Sequence, residues 1–189
     1  MKRTGLVHLL VFALCAINKA NASDAPDEPR KVIASALVRL AFDGNEADLA
    51  AIGNALQLPG LRDQVLWTTS PSANRQVQRA GYVPKESSLG IVQLHASRLA
   101  VSGEGVRTGL SLLVDAANCP SGEDFVLATD GRAAAVTSDA DQTTLRLPTR
   151  NQDVVTLSLT EGSGATVDGR AICAILIDRL PAGFIPAHL

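Results

Sequence analysis

The chain has 189 residues, of which 46% are hydrophobic and only 3% aromatic, and it carries 17 Lys and Arg against 19 Asp and Glu. A net charge of −2 repels phosphate backbones, and so few aromatics provide no stacking platform, so nucleic acid is not an expected partner. With 3 Cys and 3 His scattered along the chain, neither a metal centre nor another bound cofactor is expected.

Residues 1–22 begin with Lys2 and Arg3, run apolar over 5–17, and close on Ala20-Asn21-Ala22 before Ser23. A basic start, a short apolar stretch and a small-x-small site make up a secretory signal peptide, with cleavage expected after Ala22. The apolar run is shorter than the roughly 20 residues of a bilayer span, and no other segment approaches that length, so no stable membrane insertion is expected. Leu14 precedes Cys15 where lipoprotein processing requires a small residue, which argues against a lipid anchor. Cleavage would remove Lys2, Arg3 and Lys19 and leave a periplasmic or secreted chain of net charge about −5, an acidic surface. It would also leave Cys119 and Cys173 as an even pair in an oxidising compartment, where a disulfide is the expected state.

Residues 23–29 read as a flexible leader, and 30–189 as one globular domain of a size that folds alone. Asp27 and Pro29 suit a helix start, and Val32, Ile33, Ala36, Leu37, Leu40 and Ala41 recur at helical spacing up to Gly44. Asn45 is the expected cap of a second helix, with Asp48 favouring its first turn and Leu49, Ile52, Gly53 and Leu56 as its stripe. Ser70-Pro71 suggests a short helix reaching Arg79 and ending at Gly81. Beyond Pro84 the apolar period changes to two, predicting strands over 89–101, 106–114, 125–129, 132–137, 143–147, 154–160 and 171–178. Asp130-Gly131 reads as a two-residue hairpin turn. The run Ala171-Ile172-Cys173-Ala174-Ile175-Leu176-Ile177 predicts a central strand buried on both faces. Helices first and strands later give an α+β fold: an N-terminal helical hairpin packed on a mostly antiparallel sheet of about seven strands.

Catalytic motifs are scarce. The Gly and Ser of Glu161-Gly162-Ser163-Gly164 lack nucleophile-elbow spacing, and Asp139-Ala140-Asp141 lacks the glycine and distal glutamate of a calcium loop. His95 is the one weak catalytic candidate: Gln93, His95 and Ser97 share one face of a predicted strand, opposite Val92, Leu94 and Ala96. Base chemistry there would need a positioned nucleophile and an orienting carboxylate. His188 falls at the chain's end. Trp67, Arg75, Arg79 and Tyr82 form the one aromatic-basic cluster, residue types that dominate interface hot spots. The resulting expectation is an exported, non-catalytic binding or accessory protein that recognises a protein or cell-envelope component. The alternatives are a small-molecule binder with its pocket between helices and sheet, or a small hydrolase using His95.

Overall fold

The computed structural model describes residues 28–72, 75–133, 135–139, 142–149, 153–160 and 166–182. The expected signal peptide and its cleavage site, Asp27, Ala140, Asp141 and His188 lie outside the described residues. Helix α1 (Pro29–Asp43) starts with Pro29 in its first turn and stops at Gly44, whose φ of 74° is the left-handed conformation glycine adopts without strain. Its buried stripe of Ile33, Leu37, Leu40 and Ala41 faces the core. Helix α2 (Leu49–Ala55) is capped by Asp48, whose Oδ1 accepts from the Ala50 and Ala51 amides at 2.9 and 3.1 Å. Asn45, the expected cap, instead donates its amide to Leu40 O at 3.0 Å and closes the end of α1. Helix α3 (Leu61–Gln64) is a single turn.

The fold is α+β, with nine strands among the described residues in an antiparallel sheet. These are β1 (Thr68–Ser72), β2 (Arg75–Tyr82), β3 (Ile91–Val101), β4 (Gly105–Asp115), β5 (Ala135–Ser138), β6 (Gln142–Leu147), β7 (Val154–Thr160), β8 (Thr166–Val167) and β9 (Arg170–Leu180). They lie in the order β1-β2-β3-β4-β9-β7-β6-β5, with β8 paired to β9. The count differs from the expected seven because β1, β2 and β8 are added and one expected strand is lost. Ser70 to Arg79 forms no helix but two paired strands, with Ala80 opposite Ala96 and Tyr82 opposite Leu94. Pairing with β3 satisfies a row of its backbone groups and buries Ala80, which outweighs the local helix-start signal of Ser70-Pro71. Conversely, the expected strand 125–129 belongs to helix α4 (Gly122–Ala128). Ser121 Oγ accepts from the Asp124 amide at 3.2 Å, and Asp124 Oδ2 accepts from the Ser121 amide at 2.9 Å. This reciprocal capping box starts a helix, and Phe125 is buried within the core. Asp130-Gly131 therefore follows a helix end and makes no hairpin.

The helices cover one face of the sheet. α1 meets α4, β7 and β9, and α4 meets β6. Beneath them lie Leu110, Leu112, Leu145, Leu157, Ile175 and Ile177, all fully buried. The strand β9 is central, as expected, but it is not buried on both sides. Its helix-free side passes from buried Ile172 through half-buried Ala174 to Leu176, which is 46% exposed. Cys119 and Cys173 are joined in a disulfide that ties the segment after β4 to β9. Among the described residues no helix is long and apolar enough to cross a membrane.

Candidate functional site

Strand alternation assigns the side chains of the helix-free face. Register sets Arg79 opposite Ser97, Ser97 opposite Gly109, and Gly109 opposite Asp178, one row across four strands. A shallow cavity of about 320 Å³ lies over this row, lined also by Arg75, Leu99, Arg107 and Leu176. Its floor is low because Gly109 has no side chain. A Cβ there would stand 3.1 Å from Ser97 Oγ, so glycine lets the Ser97 side chain pack closely over this strand. Arg107 holds Asp178 with both arms of its fork, Nε to Oδ1 at 2.8 Å and Nη2 to Oδ2 at 2.5 Å. The hydrogen bond to Asp178 raises the Arg107 pKa above its ordinary value, outweighing burial. Asp178 is the only acidic residue lining this cavity, so among the described residues no carboxylate pairs with Arg79.

His95 stands on the same face, exposed, with its ring over Gly81 at 3.2 Å from where a Cβ would lie. Its Nε2 is 2.6 Å from Gln93 Nε2, so the amide donates to the imidazole when the ring proton is on Nδ1. Among the described residues no carboxylate or hydroxyl hydrogen-bonds to His95, and Ser97 Oγ is turned to Gly109. No nucleophile–base–carboxylate array is assembled there.

The expected aromatic-basic cluster is divided by the sheet. Arg75 and Arg79 occupy the helix-free face of β2 and line the cavity. Trp67 and Tyr82 pack against the core, and the Tyr82 hydroxyl donates to Gln64 Oε1 at 3.2 Å on the helix side. Arg79 and Tyr82 are three residues apart, an odd number, so an extended chain sends them to opposite faces. The two arginines are instead brought together with Ser97, Arg107, Gly109 and Leu176.

A second cavity, about 690 Å³, opens at the C-terminal end of α1 between Phe42, Asp43, Arg132, Pro148, Thr149 and Arg179. The Arg132 guanidinium sits 4.2 Å from the centre of the Phe42 ring, and its Nε donates to Thr129 O at 3.1 Å. Arg179 has every nitrogen engaged. Nε donates to Glu46 Oε1 at 2.6 Å, Nη1 to Asp153 Oδ2 at 3.0 Å, and Nη2 to the Ala41 carbonyl. Fully buried Glu46 also accepts from the Thr108 hydroxyl. Burial works to lower the Arg179 pKa, but the bonds and charges of Glu46 and Asp153 outweigh it, and the pKa is raised. Arg179 thus clamps α1 and its following turn to the sheet, with four of its five N–H donors used within the protein. Sequence reasoning overlooked this network. Its one local signal was parity: Arg179 follows Cys173, Ile175 and Ile177 on the buried side of a predicted strand, where an unpaired charge is not tolerated.

Among the described residues no group of three or more His, Cys, Asp or Glu could hold a metal ion. Compared with known proteins, the chain matches no family model, no curated protein sequence and no solved structure.

Proposed function

We propose that this chain is an exported, non-catalytic binding protein that recognises a protein partner through the helix-free face of its sheet. The observation that carries the reading is the asymmetry of the sheet. One face is covered by helices, while the other presents 46% exposed Leu176 beside Arg75, Arg79 and Arg107 around an open cavity. Apolar area next to arginine is the composition of interface centres. Export is supported by the signal-peptide pattern of residues 1–22 and by the pairing of Cys119 with Cys173. The His95 hydrolase reading has the weakest support, since its described side-chain partner is an amide.

One observation favours a second reading, a small-molecule binder. The cavity beside Phe42 and Arg132, about 690 Å³, falls within the size range of ligand sites, roughly 300–1,000 Å³. Its lining mixes Phe42 and Pro148 with charged Asp43 and Arg132, at the C-terminal end of α1.

The test is affinity capture from the native periplasmic or extracellular fraction with tagged mature protein, in parallel with Leu176→Glu. Wild type should capture a partner, and Leu176→Glu should lower its recovery at least tenfold while its circular dichroism is unchanged. A partner held equally by both proteins overturns the assignment of this face, and an intact mass starting before Ser23 for the protein exported from its full-length chain overturns the cleavage.

A further inference from the structure

We infer that the helix-free face takes an acidic peptide segment, with a side-chain carboxylate seated over Gly109 between Arg79 and Ser97. The inference rests on the reading of this face as the binding surface and names the chemistry of its occupant.

Three observations converge. First, the charge of Arg79 is not balanced within the described residues. Among them Asp178 is the carboxylate that lines the cavity, with both oxygens taken by Arg107. That pairing aligns Arg107 along one wall and leaves Arg79, on the far side of the row, without a carboxylate among the described residues. Second, hydrogen-bond donors line the same cavity. Ser97 Oγ has no hydrogen-bond partner among the described residues, and it lies beside the space that a side chain at Gly109 would occupy. The Arg79 guanidinium and the Ser97 hydroxyl, on paired residues of adjacent strands in one cavity lining, supply donors for the two oxygens of a carboxylate. Third, part of the lining is apolar. Leu99 and Leu176 line the same cavity, so an occupant that covers them gains more than a bare anion could.

These features select among sources of a carboxylate. A free small anion would leave Leu176 uncovered. A polyanion such as nucleic acid is disfavoured by a chain whose acidic residues outnumber its basic ones, 19 to 17. A second copy docking the same face would oppose arginine to arginine. A peptide carrying Asp or Glu between apolar residues satisfies the donors and covers the leucines together.

The experiment uses the mature protein, labelled for amide NMR, and an acetylated, amidated heptapeptide with one Asp between two Leu. The same peptide with Asn, and sodium acetate, are the comparisons. The Asp peptide should shift the amides of Ser97, Gly109 and Leu176 and bind about tenfold tighter than the Asn peptide, the ratio expected of one charge-assisted pair. Arg79→Gln, at an exposed position, should erase that preference and keep the protein's melting temperature. Equal binding of the two peptides, no binding of either at millimolar concentration, or a preference that survives Arg79→Gln overturns the carboxylate site. Acetate binding as tightly as the Asp peptide overturns the peptide as its source. If partner capture still depends on Leu176 when the Asp preference is missing, only this inference fails; if capture ignores Leu176 as well, the reading of the face fails with it.

Discussion

Asp178 and Arg179 are consecutive residues of β9, and each joins an arginine–carboxylate pair, yet on opposite faces of the sheet. On the helix-free face, the Arg107 side chain is 44% exposed and that of Asp178 18%. On the covered face, the Arg179 side chain is 12% exposed and that of Glu46 0%. The chemistry is the same, and the solvent differs. Water and salt take up most of the attraction in the first pair, so it positions Arg107 more than it stabilises the fold. In the second, both charges have been stripped of water, and each depends on the other to remain inside. One strand therefore carries a pair suited to a binding surface and a pair that holds the architecture together, separated by a single step of the chain.

The largest expected effect breaks the covered pair. Glu46→Ala should cost up to about 3–5 kcal/mol of folding stability, because it removes the buried partner of Thr108 and of half-buried Arg179, which keeps only Asp153 as a counter-charge. For a chain of this size that is a fall in melting temperature of roughly 10 °C or more. Glu46→Gln should lose less, since an amide oxygen still accepts one bond. A Glu46→Ala protein melting within a degree or two of wild type would remove the distinction between the two faces.

Next comes the disulfide, which sits on the covered side of the same strand. Cys119 and Cys173 are 54 residues apart, and closing such a loop stabilises a fold by ~4 kcal/mol in the chain-entropy model. Reduction, or Cys119→Ser with Cys173→Ser, should lower the denaturation midpoint accordingly without shifting amides of the open face near Ser97. Two alkylatable thiols in freshly isolated mature protein would contradict the pairing itself.

What the sequence revealed of these faces depended on how local the cause was. The stripe of α1 ends at Gly44, where the helix does end, because an amphipathic period and a left-handed stop are both written within a few residues. The strands β3, β4, β6 and β7 likewise follow from alternation, and β9 from its apolar run, though not the exposure of Leu176. Helix α4 was legible too, in Ser121 and Asp124 at capping-box spacing ahead of Phe125-Val126-Leu127-Ala128. The Asp130-Gly131 turn signal outweighed it, although both residues have positive φ for the different purpose of leaving a helix. The hairpin of β1 and β2 was hidden by Pro71, which an edge strand tolerates and a helix start also favours. As for the site, Arg75 and Arg79 were picked out by residue type, but their companions were not. Ser97, Gly109, Arg107 and Asp178 come from three other strands, and only register brings them together. The Glu46–Arg179–Asp153 network spans still longer separations and could be inferred only from the parity of Arg179.

The smallest expected effect sharpens the comparison from the exposed side. Arg107→Ala should cost no more than about 1 kcal/mol, and the loss should shrink further as salt is raised, whereas the loss in Glu46→Ala should hardly respond. The pH dependence has a definite sign. Both arginines have pKa values raised on folding, so their contributions are complete below the unfolded arginine value and fade only as pH climbs through the folded one. That window lies above the ordinary arginine range. The stability difference between wild type and Arg107→Ala should therefore stay flat between about pH 7 and pH 10, because arginine remains charged throughout. Denaturant titrations at three pH values and two salt concentrations check both statements. A loss that grows with pH in this interval would mean that a different titrating group, not the guanidinium of Arg107, sustains the pair with Asp178. A loss as large and as salt-resistant as that of Glu46→Ala would mean that Asp178 is in effect as buried as Glu46, and the open face would then be covered in solution.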